Sequence, residues 1–258
     1  MLNNFTRLVA NENMKIYYRV RTWVMLAILL LFNAAMPTML YFTNAPMDVW
    51  TVFTWTESFT IYLSTIFTVI VAADIVAGEF AGGTIKLLLI RPWSRGKILL
   101  SKFTSLVLFG LLCAGITAVV GIAISLLLFS GNTGLSDAFA GSSMNNSLLL
   151  LLTDTIQALV ISLIAFMLST VFRSGGLAIG LSLMVLFTKD IFGFIFNPER
   201  FEWAKYVLFL HTDLSGYIQS PVGPGGVGLG FSITILVVYC FLFMLISWLV
   251  FTKRDVAA

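Results

Sequence analysis

The chain has 258 residues, 59% of them hydrophobic and only 10% charged, with a mean hydropathy of +0.99. A soluble domain carries ~25% charged residues, so a water-soluble globule is excluded and the solvent must be lipid. The net charge of +3 says little by itself, and no nucleic-acid partner is expected.

Residues 1–21 come first. "MLNNFTRLVANENMKIYYRVRTW" mixes charged and apolar residues and has no small-residue cleavage site after a short apolar core, so it does not read as a cleaved signal. Phe5, Leu8, Val9 and Ile16 fall near one helical face, with Arg7, Asn11 and Lys15 away from it. That pattern suits a helix lying in the cytoplasmic interface; the alternative is a floppy tail. Six stretches then have the ~20 apolar residues that a spanning helix needs: 23–42, 59–77, 98–129, 148–172, 175–196 and 228–251. The third is over-long and begins at the surface or tilts. Only a short "RSG" turn separates the fourth from the fifth, so these two form a tight hairpin.

Orientation follows from Lys and Arg. Arg7, Lys15, Arg19 and Arg21 precede the first span, and Lys86, Arg91, Arg95, Lys97 and Lys102 lie between the second and third. Arg173 lies in the hairpin turn, and Lys253 and Arg254 in the tail. The loops after the first and third spans hold only Asp48, Glu57 and Asp137. Twelve of the 15 basic residues thus share one side, which should be the cytoplasm and should hold both termini. Segment 198–220, on the other side, has an apolar core too short to span; it reads as a re-entrant or surface-lying external helix. Its His211, the only histidine, reads as a polar edge residue.

No phosphate-binding loop of the form GxxxxGK[ST] is present. With a single histidine, no His-rich metal site and no Ser-His-acid triad is expected. Cys113 and Cys240 lie inside apolar runs and read as packing residues. The chain itself is therefore not expected to be an enzyme or to bind a cofactor. Asp154, in the fourth span, and the adjacent Lys189 and Asp190, in the fifth, are costly in lipid and are candidate substrate-path residues. The plainer alternative is that they snorkel or pair locally. Asp74, near the end of the second span, is read the second way. Thr60, Ser64 and Thr68 form one helical stripe. With Asn33 they either line a substrate path or subunit interface, or bond back to carbonyls one turn earlier. Gly110, Ala114 and Ala118, with Gly176 and Gly180, recur at helix-packing spacing.

The most distinctive stretch is "GEFAGGTIKLLLIRPWSRGKILLSK", from Gly78 to Lys102. Glu79 ends the second span, and Gly82 and Gly83 break it. Thr84 is an N-cap candidate, residues 84–90 make a short apolar helix, and Pro92 stops it. Ser94 caps the third span, with Arg95, Lys97 and Lys102 at the headgroups. A solvated loop has no reason to expose Leu87, Leu88, Leu89 and Ile90; they fit the membrane surface or a groove on a cytoplasmic partner.

This stretch resembles the hallmark segment of the ABC-2 (type-2 exporter) permeases. The matching residues are Glu79, Gly83-Thr84, Leu87 to Leu89, Pro92, Ser94-Arg95 and Lys102. The resemblance implies an all-α integral membrane subunit of six spans, with 84–90 as its coupling helix. The coupling set would be Glu79, Gly83, Thr84, Lys86, Leu87, Leu88, Ile90, Arg91, Pro92 and Arg95. It also implies two copies of a cytoplasmic ABC ATPase that hold ATP and Mg, and a second permease subunit, identical or related. The setting would be a plasma membrane, of bacterial type, and the cargo amphipathic or lipid-like, with peptide antibiotics among the candidates. The rivals are a stand-alone secondary transporter or channel, and a non-transporting membrane regulator.

Overall fold

A computed structural model describes residues 2–44, 46–83, 93–133, 142–172, 174–196, 198 and 201–253. Its long helices are α1 (Leu2–Tyr17), α2 (Val20–Phe42), α3 (Val49–Ala81), α4 (Arg95–Thr133), α5 (Ser142–Phe172) and α6 (Gly175–Ile195), with α8 (Leu229–Lys253) last. Between α6 and α8 run short turns and the four-residue helix α7 (Gly216–Gln219). Six helices, all but α1 and α7, are long and apolar enough to cross a membrane. Among the described residues there is no strand, only an isolated bridge between Val222 and Gly228.

Helix α3 is the centre, packing against α2, α4, α5 and α6. Of its most apolar stretch 72% is buried, against 11% for α8 at the periphery. Val69, Val71, Ala72, Ala73, Val76 and Ala77 are all enclosed. Small residues here let neighbours approach closely. Ser169 Oγ of α5 comes near enough to accept from the Ala77 N–H at 2.9 Å.

The sequence places the start of the second span at Phe59, but α3 begins at Val49. Asp48 is the reason: its side chain caps the helix, accepting from the Thr51 N–H and hydroxyl. Glu57, assigned from sequence to a loop, is therefore inside a helix. At the other end α3 stops where Gly83 takes a φ of +67°, a left-handed conformation that suits glycine. Pro37 sits within α2 without ending it, as spanning helices tolerate.

The segment after α6 is not one helix. It makes 3-10 turns at Glu202–Tyr206 and Leu208–Leu210, then α7, folded against α5, α6 and α8. Phe209 stacks on Phe192 of α6 at 5.2 Å. His211, expected at a polar edge, has 0% exposure. Its ring nitrogens reach Ser232 Oγ and the Lys205 carbonyl, both at 2.7 Å.

Candidate functional site

Helix α1 carries Glu12 and Lys15 on one face, and both meet the helix ends that bracket residues 84–92. Lys102 Nζ, on α4, lies 2.7 Å from Glu12 Oε2 and 2.7 Å from Glu79 Oε1. It also donates to the Ile75 carbonyl at 3.1 Å. Lys15 Nζ joins the same carboxylates, 2.7 Å from Glu12 Oε1 and 2.6 Å from Glu79 Oε1. Two lysines and two glutamates thus form one closed cluster across α1, α3 and α4. Lys102 is fully buried, whereas Lys15 reaches solvent. Burial works against the Lys15 charge, but its bonds to Glu12 and Glu79 outweigh that and raise its pKa above the ordinary lysine value.

The sequence puts Lys102 at the lipid headgroups; instead it is enclosed, because two carboxylates and a carbonyl meet it inside the bundle. Two further ties close this end. Arg19 and Arg21, flanking the start of α2, both pair with Asp74 of α3. Arg95 Nη1, at the start of α4, donates to the Thr252 carbonyl near the end of α8 at 3.0 Å. Of the predicted coupling residues, Glu79 and Arg95 therefore take part in contacts between helices, and Gly83 forms the exit turn of α3. Thr84, Lys86, Leu87, Leu88, Ile90, Arg91 and Pro92 lie outside the described residues.

The predicted path residues divide into two groups. Asn33, Thr60, Ser64 and Thr68 are buried within the chain, at 0%, 0%, 2% and 1% exposure. Thr68 and Ser64 face Gly110 and Cys113 of α4, and Asn33 faces Gly121 of the same helix. The Thr60 hydroxyl donates to the Thr56 carbonyl and the Thr68 hydroxyl to the Ser64 carbonyl, each at 2.8 Å. The Asn33 amide donates to the Leu29 carbonyl at 2.9 Å. Thr60, Ser64 and Thr68 are therefore enclosed within the chain; the Thr60 and Thr68 hydroxyls and the Asn33 amide nitrogen are met by backbone one turn earlier, Ser64 meets Cys113, and Asn33 Oδ1 has no hydrogen-bond partner among the described residues.

Asp154 and Lys189 do come together. With Ser58, Ile61, Tyr62, Thr65, Gln157, Ile161 and Leu186 they line a cavity of about 130 Å³ between α3, α5 and α6. Lys189 Nζ is turned to Asp190 Oδ1 at 2.7 Å, and Asp190 is largely exposed. Behind Asp154 sits Glu57, 1% exposed and close enough for its carboxyl to contact that of Asp154. The sequence shows no sign of this pairing unless α3 is begun at Asp48. Glu12 and Lys102 had a weaker signal, the spacing of Glu12 and Lys15 on one helical face.

A family model described as "Protein of unknown function (DUF2705)" matches residues 10–257. The chain belongs to that family. Individual relatives extend the picture. "Uncharacterized protein YhcI" of Bacillus subtilis (strain 168) is 38% identical over 229 residues, 83% of this chain and 72% of that protein. "Uncharacterized membrane protein YdbK" of the same organism is 29% identical, over 78% of this chain and 81% of that protein. "Probable ABC transporter permease protein NosY" of Stutzerimonas stutzeri is 28% identical over 221 residues, 77% of this chain and 74% of that protein. With its six apolar helices, this DUF2705 protein is a multi-pass membrane protein distantly related to an ABC permease.

Proposed function

We propose that the chain is the permease subunit of an ATP-driven exporter of the ABC-2 type, with residues 84–90 as its coupling helix. The observation that carries this is the Glu12–Lys15–Glu79–Lys102 cluster. It fastens α1 to the last turn of α3 and the first turns of α4, the two ends between which residues 84–92 are strung. A segment that passes force from a partner into a bundle needs rigid anchorage at both ends, and a solvated loop needs none. The distant likeness to a probable ABC transporter permease points the same way.

In this reading the end that holds the cluster and both termini faces the cytoplasm. A separate ABC ATPase, in two copies, binds ATP and Mg there. Its groove takes Leu87, Leu88 and Ile90, with Lys86 and Arg91 at the rim, while Thr84 and Pro92 set the limits of the helix. A second permease subunit completes the transporter. The cargo is amphipathic or lipid-like, and the residues 201–228 cover the outer end.

The buried Glu57–Asp154 pair is the one feature that a stand-alone, proton-linked transporter would also need. Both readings are separated by co-expressing the chain with the ABC ATPase that the permease reading expects in a neighbouring gene. Co-purification that is lost in Leu88→Asp supports the permease, since it places a charge where ~1.5–3 kcal/mol of apolar burial is expected. Undiminished complex and ATPase turnover in Leu88→Asp, or transport by the chain alone, overturns it.

A further inference from the structure

A second cavity, of about 200 Å³, lies between the first turns of α3 and the first turns of α5. It is at the end of the bundle away from the Glu12–Lys102 cluster, since Glu79 stands at the other end of α3. Trp50, Thr54 and Trp55 line it from α3, and Ser143, Asn146 and Ser147 from α5. None of the residues that line it is ionisable. The Thr54 and Ser147 hydroxyls, 2.8 Å apart, tie the two helices together. Trp50 is enclosed and set edge-on to Phe53, with ring centres 6.0 Å apart. A tryptophan at a membrane boundary is ordinary when its ring faces the headgroups. Trp55, 54% exposed, fits that account; Trp50, turned inward as part of the cavity wall, does not. Ser143 and Asn146 are exposed, and among the described residues their side chains have no hydrogen-bond partner.

These walls select a ligand class. A phosphate head would need a cation and an ammonium head an acid, and neither lines the cavity. Two indoles beside hydroxyl and amide groups suit a neutral ring that carries C–H faces and many hydroxyls at once. A sugar ring is such a group. Its C–H bonds rest on the electron-rich face of an indole, and its hydroxyls exchange hydrogen bonds with Ser, Thr and Asn side chains, which both donate and accept. The volume suits one six-membered ring. The mouth runs on into lipid-facing side chains: Phe59, one turn from Trp55 on α3, is 55% exposed, and Leu149 of α5 is 37% exposed. A chain attached to the ring has a path into the bilayer there.

We propose that this cavity binds a neutral sugar ring, with Trp50 and Trp55 against its C–H faces and Ser143, Asn146 and Ser147 on its hydroxyls. The ring is the chemistry shared by a glycolipid head and a free sugar. The site does not depend on the permease reading.

The test is native mass spectrometry of the purified full-length chain in lauryldimethylamine oxide, a detergent without a sugar. The probes are monoglucosyl diacylglycerol and the same diacylglycerol without its glucose. A single saturable adduct is expected with the glucosyl lipid, held about tenfold more tightly than the bare one. Trp55→Leu and Asn146→Ala should each weaken it about three- to tenfold. Both side chains are exposed, so neither change disturbs the core. Phe241→Leu, on the lipid-facing side of α8, should leave it unchanged. Displacement by methyl glucoside would identify a free sugar as a sufficient ligand, and an adduct that resists it a lipid-anchored head; the sugar site stands in both cases. Equal retention of the glucosyl and bare lipids overturns the proposal. So does equal retention by wild type, Trp55→Leu and Asn146→Ala, or a loss in Phe241→Leu as large as theirs.

Discussion

Lys102 Nζ and Glu12 Oε2 are 2.7 Å apart although the residues are separated by 90 positions, and the lysine has no exposed surface. Glu12 and Glu79 face it together, each carboxylate 2.7 Å from its ammonium nitrogen. Removing the lysine leaves two acids in the interior with Lys15 alone to balance them. Lys102→Met should therefore destabilise by about 3–5 kcal/mol, the usual result of orphaning one side of a buried pair. Adding Glu12→Gln should restore part of the loss, because Glu79 then still has Lys15 at 2.6 Å. Thermal unfolding of the detergent-solubilised variants measures both. A double variant no more stable than Lys102→Met would show that the cluster does not act as a charge unit.

Much of this architecture could be read in the sequence, because long apolar runs leave few choices in lipid. The spans and the α1 helix come directly from periodicity and charge. What stayed hidden depends on which side chains meet across helices. Lys102 looks like a headgroup lysine until α1 is laid against it and supplies Glu12. Glu57 looks like a loop residue until Asp48 is recognised as a cap that lengthens α3. Thr60, Ser64 and Thr68 look like a functional stripe, yet hydroxyls in a spanning helix can be met by the preceding carbonyl. His211 looks like an edge residue because nothing nearby in sequence announces Ser232, 21 positions on.

The exit from α3 should tolerate substitution according to backbone and not to space. An added Cβ at Gly83 meets nothing within 4 Å, but the residue has a φ of +67°. Gly83→Asn should be nearly neutral, since Asn enters the left-handed region at small cost, whereas Gly83→Val should cost about 1–2 kcal/mol. The readout is the unfolding midpoint. Equal effects of Asn and Val would mean that the left-handed turn is not maintained.

Gly78 presents the opposite case. A Cβ there would lie 2.6 Å from Asp74 Oδ1, so the carboxylate must move from the place where it meets Arg19 and Arg21. Gly78→Ala should loosen the start of α2 from α3, seen as faster hydrogen exchange around residues 19–22. Unchanged exchange there would show that the carboxylate adjusts freely.

Accessibility of introduced cysteines tests the orientation. Val222 is 55% exposed and Ser94 is also at the surface, at opposite ends of the bundle. In intact cells, and in a Cys240→Ser background, Val222→Cys should react with an impermeant maleimide, and Ser94→Cys should react only after permeabilisation. Cys113 is buried and should stay silent. The reverse pattern would overturn the cytoplasmic placement of the termini.

The outer segment hangs on His211. Its ring touches Ser232 Oγ and the Lys205 carbonyl, and Ser232 Oγ in turn meets the Tyr217 hydroxyl at 2.7 Å. One histidine thus joins the first 3-10 turn, helix α7 and the start of α8, with no helix in the segment long enough to hold itself. His211→Ala removes the ring and leaves the Lys205 carbonyl without that donor in a buried place, a loss of about 1–3 kcal/mol for the unmet group, before any cavity is counted. The effect should be local, because the segment rests on the bundle and does not run through it. Limited proteolysis of reconstituted protein should show new cleavage between residues 201 and 228, with the unfolding of the six long apolar helices little changed. Wild-type resistance in that segment would mean that the Phe192–Phe209 stack and the neighbouring apolar contacts hold it without the histidine.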